Sequence, residues 1–259
     1  MSADRTYRSA LVNLVLKDFR VRYRNMSLGI LWSLLNPLVM MGILTLVFTV
    51  VYPNHKVPHF PVFVLIGLLI FNFFSLTLSS MVSCIHDNEA LLKKLPFPRV
   101  LLPLSILISF AIHALIQTAL LFAAILVLRI PLSLYILWYP LTWLVAMGFT
   151  LGMGLLCATL CVFFLDMKYL VQSSLTIFFW LTPVFYSLAT AHKTLPRWLY
   201  GAYLLNPLAG CIDAGRNAIL FRRAPDTVAF CFAGGVSLAV LIAGWRLFRR
   251  YEYRMSDRI

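Results

Sequence analysis

The sequence predicts an all-α integral membrane fold: six transmembrane helices, an amphipathic interfacial helix before the first, a short helix between the second and third, and re-entrant helices between the fifth and sixth. Three observations carry this. Apolar residues make up 61% of the 259-residue chain and mean hydropathy is +0.88, well above the roughly 45–50% apolar usage of soluble domains. Runs such as Val62 to Cys84 and Val100 to Leu128 contain no Asp, Glu, Lys or Arg, and each exceeds the ~20 residues that cross ~30 Å of hydrocarbon as a helix. Basic residues gather at the ends of these runs. A β-barrel would instead alternate polarity in ~10-residue segments, whereas these runs are apolar on every face.

Spans are expected near 28–51, 62–84, 100–128, 136–165, 170–188 and 227–248, which divides the chain into an interfacial segment, 1–27, and a transmembrane domain, 28–259. An even count puts both termini on one side. With cytoplasmic termini, 15 of the 22 basic residues fall inside, and five of the other seven lie in one segment after the fifth span. The positive-inside rule therefore places both termini in the cytoplasm. The net charge of +13 is explained by topology rather than by nucleic acid, because no soluble domain presents it. The first 26 residues show no compact apolar core or small-residue cleavage site. Five cysteines, mostly within apolar runs, argue against a disulfide framework, and Cys157 with Cys161 supplies too few ligands for a metal.

Ahead of the first span, helical projection puts Leu11, Leu14, Val15, Phe19 and Tyr23 on one broad face and Asn13, Lys17, Arg20 and Arg24 on the other. This is the pattern of a helix lying in the membrane interface, with Asp18 and Arg22 as an i, i+4 pair. Between spans two and three, Asp87 reads as an N-cap, Glu89 and Lys93 have the favourable i, i+4 order, and Pro96 and Pro98 stop the helix. Leu91, Leu92 and Leu95 give this cytoplasmic helix an apolar side that either lipid or another protein must cover.

In span four, Gly148 and Gly152 form a small-xxx-small face for close helix approach. Pro37 in span one and Pro183 in span five predict kinks or a break. Residues 189–226 are too apolar for a free loop yet are interrupted by Pro196, Pro207 and Pro225. Asn206 reads as an N-cap with Pro207 at the first helical position, opening a short helix that carries Asp213 and Arg216 at i, i+3. Two short helices dipping from the outer face are expected there, their backbone ends covered by protein or lining a wet cavity.

No Gly-x-x-x-x-Gly-Lys-Ser/Thr phosphate loop occurs, and no His-Glu-x-x-His or Gly-x-Ser-x-Gly. Asp166 is the one carboxylate close to a span, so an ion-coupled mechanism has little to work with. His113 and Gln117 share a face of span three and read as an interhelical hydrogen-bonding pair.

At this point the residues resemble a known family. The stretch Leu16-Lys17-Asp18-Phe19-Arg20-Val21-Arg22-Tyr23-Arg24, leading to Leu28-Gly29-Ile30-Leu31-Trp32-Ser33-Leu34-Leu35-Asn36-Pro37, is similar to the amino-terminal signature of ABC-2 type permeases of the polysaccharide and polyol phosphate export branch. Leu95 to Pro103, Thr182 to Tyr186 and Leu205 to Leu208 resemble later family segments in the same order.

The resemblance implies a half-transporter of the bacterial inner membrane. Two copies would form the channel, and two copies of a separate ATPase would bind ATP and magnesium below it; this chain would hold no cofactor and catalyse no covalent change. Glu89, Leu91, Leu92, Lys93, Lys94 and Leu95 would form the coupling helix in a groove of the ATPase. Lys17, Arg20, Arg22 and Arg24 would lie at the channel entrance, and Pro196, Asn206, Pro207, Asp213 and Arg216 would belong to the outer gate. Trp32, Phe178, Phe179, Trp180 and Tyr186 would line the path of a lipid-linked glycan, since aromatic faces slide past sugar rings without fixed hydrogen bonds. Two alternatives stay open: an ABC-2 permease for a drug or small lipid, and an integral membrane enzyme acting on lipid-linked sugar through Asp213, Arg216 and His192.

Overall fold

The computed structural model describes residues 2–23, 31–51, 57–94, 97–194 and 196–253. Every regular element among them is helical. In order they are α1 (Ser2–Tyr23), α2 (Leu31–Leu46, continued by a π-helical turn, Val47–Val51), α3 (Phe60–Val82), α4 (Cys84–Asp87), α5 (Glu89–Lys94) and α6 (Leu101–Val127). A 3-10 turn, Leu134–Leu137, leads into α7 (Trp138–Phe163), followed by α8 (Met167–Leu181), α9 (Leu188–Thr194), α10 (Arg197–Leu204), α11 (Pro207–Ile219) and α12 (Thr227–Tyr251).

Among the described residues, five helical segments are long and apolar enough to cross a membrane: Leu34–Val51, Phe60–Val82, Leu101–Val127, Leu134–Phe163 and Thr227–Tyr251. The span expected at 170–188 is different. Its helix, α8, has 15 residues, or about 22 Å at 1.5 Å per residue, short of ~30 Å of hydrocarbon. The cause is Pro183, whose ring disfavours helical backbone at the preceding residue. Thr182 is accordingly extended, at φ −89° and ψ 139°.

The bundle is organised around α3. Its residues from Val62 to Ile70 are almost entirely shielded, as expected of a helix that is apolar all round, and α2, α6, α7, α8 and α11 all pack on it. By contrast α2 leaves one face open, with Leu35, Val39, Ile43 and Leu46 uncovered. The α7–α12 pair is closest at Gly152, where a Cβ would come within 2.6 Å of the Leu241 backbone nitrogen, and Gly244 meets the Gly152 carbonyl from the other side. Ser237 adds a hydrogen bond to the Val145 carbonyl, 2.7 Å. Small residues let these two backbones touch, which is how membrane helices gain packing without a hydrophobic drive between them.

The strands of connectivity give the bundle two distinct ends. Helix α1, the α4–α5 pair, the turn after α7 and the last turn of α12 share one end, as the Lys17–Asn88 hydrogen bond and the Phe163–Tyr251 ring contact show. The start of α3, the turn after α8 and helices α9 to α11 share the other. The apolar face of α1, expected to meet lipid, meets α6: Leu14 is buried, Phe19 stacks on His113 at 5.2 Å, and Ser109 donates to the Val15 carbonyl at 3.4 Å.

Candidate functional site

At the end formed by α9 to α11, the turn created by Pro183 leaves carbonyl oxygens that no continuing helix can use. Arg216 of α11 takes them up. Its Nη1 donates to the carbonyls of Pro183 and Tyr186 at 2.7 and 3.0 Å, Nη2 donates to Val184 at 2.6 Å, and Nε donates to Phe63 of α3 at 3.0 Å. The guanidinium also lies 3.5 Å from the centroid of the Phe63 ring, a cation–π contact. Burial pushes it down to about 9, with Asp213, Tyr203 and Tyr186 holding it up, so it stays charged at neutral pH. Gly67 makes room: a Cβ there would stand 2.8 Å from Arg216 Nη2 and 3.0 Å from the Val184 carbonyl.

Helix α11 starts as its sequence dictates. The Asn206 side chain accepts from Leu208 N at 3.0 Å and donates through Nδ2 to Thr182 Oγ1 at 2.9 Å, so one residue caps the helix and pins the turn after α8. Every residue of α11 except Asp213 is buried, against α3, α7 and α12. Asp213 does not pair with Arg216 as the i, i+3 spacing suggests. It accepts from Asn217 Nδ2 at 2.7 Å, and Asn217 in turn accepts from Arg223 Nε at 2.8 Å. Burial raises the Asp213 carboxyl above its usual range, opposed by Arg216, Arg223 and the Asn217 hydrogen bond. A second link joins Tyr203 of α10, whose hydroxyl donates to that of Tyr186 at 3.0 Å. Burial pushes the Tyr203 phenol up. Pro196 is exposed between α9 and α10.

The opposite end is held by lighter contacts. Lys17 Nζ of α1 donates to Asn88 Oδ1 at 2.6 Å, and Asn88 Nδ2 donates to the Cys84 carbonyl at 2.9 Å. Asp87, expected to cap α5, closes α4 instead and accepts from Ser83 Oγ at 2.7 Å, because the chain turns at Asn88 before α5 begins. In α5, Lys93 Nζ donates to Glu89 at 2.6 Å, and this bond lowers the Glu89 carboxyl below its usual range. Leu91 and Leu92 are half-buried against the bundle, so part of the cover they require comes from the chain itself. Arg20 is exposed on α1. Of the other expected residues here, Arg22 and Lys94 are described in backbone only, and Arg24 and Leu95 lie outside the described residues. Beyond α5, Arg99 N donates to Glu252 Oε1 at 3.1 Å and Arg99 Nη1 to the Glu252 carbonyl, tying the segment to the end of α12.

The expected aromatic path divides into two groups. Phe178 and Phe179 are half-buried and pack on α3, with ring centroids 5.6 Å from Phe74 and 5.1 Å from Phe71. Trp180 is 63% exposed. Tyr186 is half-buried, and its hydroxyl donates to the Leu181 carbonyl at 3.2 Å. Trp32 lies on α2, with its backbone alone described.

Comparison with known proteins decides the family. The ABC-2 type transporter model matches residues 9–220, most of the chain. The chain belongs to the ABC-2 type transporter family. Over 256 residues it is 32% identical to the O-antigen export system permease protein RfbA of Myxococcus xanthus, covering 96% of each chain. It is 28% identical over 251 residues to a protein of the same name from Klebsiella pneumoniae, covering 95% of this chain and 93% of that one. The polysialic acid transport protein KpsM of Escherichia coli is 25% identical over 254 residues, covering 93% of both. The resemblance read from the sequence is therefore correct at the level of family and branch.

In this ABC-2 chain, sequence reasoning found Asn206, Pro207, Asp213 and Arg216 but not the contacts that Arg216 makes. A signal was available: an arginine on a short apolar helix, a proline break, and a lone glycine, Gly67, within an otherwise bulky run. The Arg99–Glu252 connection, between residues far apart in sequence, had no such signal. Among the described residues, no group of three His, Cys, Asp or Glu side chains is placed to hold a metal ion.

Proposed function

We propose that this chain is the transmembrane subunit of an ATP-driven exporter that moves a lipid-linked polysaccharide across the bacterial cytoplasmic membrane. The observation that carries the reading is likeness along nearly the whole chain to permeases named for O-antigen export and polysialic acid transport. The structure adds a physical basis. On this reading α8 together with the turn from Thr182 to Ser187 makes the sixth crossing, part helix and part irregular backbone; the Arg216 bonds to the turn support it, because irregular backbone at membrane depth needs protein partners. Both termini are then cytoplasmic, and the interfacial segment 1–27 precedes the transmembrane domain 28–259.

A second copy of the chain covers the exposed faces of α2 and α8, enclosing a path lined by Trp32, Trp180 and Tyr186. Two copies of a separate ATPase, holding ATP and magnesium, dock beneath α5. Nucleotide-driven closure of that partner pushes α5, the push passes through Asn88 to α1 and through Arg99 to α12, and the cap of α10 and α11 opens. Arg20 with Lys17, Arg22 and Arg24 meets the anionic head of the lipid carrier.

The test is deletion of the chain followed by complementation. Surface polysaccharide should vanish on deletion and return with the wild-type chain, whereas Leu92→Asp should insert normally yet fail to stimulate the partner's ATP hydrolysis. Surface glycan that persists after deletion would overturn the reading. Transport of a drug or small lipid instead would select the other branch of the family. The enzymatic alternative loses its cluster, since Arg216 is engaged by four backbone carbonyls rather than facing Asp213.

A further inference from the structure

At the end of the bundle formed by α9 to α11 lies a cavity of about 580 Å³, walled by α9, α10, α11 and the loop into α12. Its size falls within the ~300–1,000 Å³ typical of small-ligand sites. The chemistry of its lining is specific. Asp213, Asn217 and Arg223 form one chain of hydrogen bonds along a wall, 2.7 Å from Asn217 to Asp213 and 2.8 Å from Arg223 to Asn217. In the same lining, Tyr200 presents a ring held edge-on to His192, with centroids 4.7 Å apart. Asp226 accepts from Val228 N and Ala229 N at 3.0 and 3.3 Å through one oxygen, Oδ1, and so stands fixed at the rim.

The wall is held in shape before any ligand arrives. Asn217 is 3% exposed and is engaged from both sides. Among the described residues, the terminal nitrogens of Arg223, Oδ1 of Asp213 and Oδ2 of Asp226 carry no hydrogen bond to protein. Two carboxylates are matched by Arg223 and Lys193, so the cavity has no net charge to draw in an ion. A phosphate would face both carboxylates, and a metal ion would lack a cluster of three ligands among the described residues. A ligand that both donates and accepts, carries no charge, and has an apolar face for a ring fits the inventory. That is the chemistry of a sugar.

We propose that this cavity binds an uncharged sugar unit of the exported glycan, with Asp213 and Arg223 engaging adjacent hydroxyls and Tyr200 lying against the ring. The inference rests on the polysaccharide reading above and sharpens it: the glycan is held by the protein at the outer end, beside the turn that Arg216 pins. A captured unit would resist backward movement between strokes of the partner ATPase.

The experiment uses the full permease with its ATPase partner in lipid nanodiscs. The probe is the cell's own surface polysaccharide, released from its lipid by mild acid so that no lipid anchor contributes to binding. Saturation-transfer NMR and calorimetric titration report the contact. The wild-type complex should bind, Asp213→Asn and Arg223→Gln should each weaken binding about tenfold, as loss of a charge-assisted hydrogen bond predicts, and Tyr200→Phe should bind while Tyr200→Ala does not. The Tyr200 pair decides the matter should a wall variant fail to fold. Absence of saturation transfer to the wild-type complex, or equal affinity of Tyr200→Ala and Tyr200→Phe, overturns the sugar site. If deletion of the chain abolishes surface glycan while the probe fails to bind, the site alone is wrong; if deletion leaves surface glycan intact, the polysaccharide reading falls and the site with it.

Discussion

The two ends of this bundle are held together in opposite ways. At the end formed by α9 to α11, the outer one in the proposed topology, one buried guanidinium joins α3, the Pro183 turn and α11 through four backbone carbonyls. At the opposite end, the inner one in that topology, the polar link between α1 and the α4–α5 junction is an exposed one, Lys17 to Asn88, while the Lys93–Glu89 pair stays within α5 and the helices otherwise rest on apolar contacts of Leu14, Leu91 and Leu92. A charge taken out of water is costly unless every donor is used, so the outer arrangement has one good solution and resists deformation. Exposed pairs lose little when they separate, because water replaces each partner. The inner end can therefore be moved by a docked protein, whereas the outer end moves as a unit or not at all. On the proposed reading, in which an ATPase drives the permease from below, that difference suits a soft input and a firm output.

The strongest way to break the contrast is to remove the guanidinium. Arg216→Ala takes the donor from the Pro183, Val184 and Tyr186 carbonyls of the turn after α8, which no helix satisfies, and loss of one partner from a buried charged network costs about 3–5 kcal/mol. Folded protein extracted in mild detergent should fall sharply in yield and in thermal midpoint. Arg216→Lys keeps the charge but not the planar fork, and should land between the two. A wild-type melting curve for Arg216→Ala would show that the outer end is held by something else.

Next in size is Gly67→Ala, which presses a methyl against Arg216 Nη2 and the Val184 backbone, 2.8 to 3.1 Å away. Overpacking of this kind costs about 1–3 kcal/mol. Gly234→Ala in α12 is the matched control, since a Cβ there meets nothing within 4 Å, and the better helix former should stabilise by up to about 1 kcal/mol. Thermal shifts of opposite sign are expected. Equal shifts would mean that Gly67 is not constrained by the guanidinium.

The legibility of these features in the sequence follows their range. Long uncharged runs gave the crossing helices, because burial in lipid demands apolar residues on all faces over a fixed length. The Asn206-Pro207 start of α11 was readable because a cap is a local event. The 170–188 segment is apolar by hydropathy, while Pro183 decides that its helix ends at Leu181, too short to cross as a helix alone. The i, i+3 spacing of Asp213 and Arg216 is visible in sequence, whereas the carbonyls that Arg216 binds are brought in from α3 and from the turn after α8. The pattern of α1 points to the membrane interface for a related reason. Amphipathicity says that an apolar face will be covered and not by what, and here α6 covers it.

An intermediate case lies at the junction of α12 with the segment after α5. Glu252 accepts from Arg99 N and Arg249 Nη1, each at 3.1 Å, in a partly buried setting. Glu252→Gln keeps an acceptor and removes the charge, so it should cost about 1 kcal/mol, less than either outer substitution. Its sharper readout is coupling. If the push from α5 reaches α12 through this contact, the variant should hydrolyse ATP with its partner at the normal rate while exporting less glycan per ATP. A proportional loss of both would place Glu252 in docking rather than in transmission.

The smallest effect is expected at Lys17→Met, which removes the bond to Asn88 and nothing buried. Stability should stay within about 0.5 kcal/mol of wild type, as for other exposed polar contacts. The packing of α1 on α6 remains, through Leu14, Phe19 and His113, so the helix should not detach. What should change is the restraint between α1 and the α4–α5 junction. Hydrogen exchange of the α5 amides, measured without the ATPase, should quicken in Lys17→Met while α6 and α11 are unaffected. Faster exchange at α11 as well would mean that the two ends are coupled rigidly even at rest, and the contrast between a yielding inner end and a firm outer one would have to be given up.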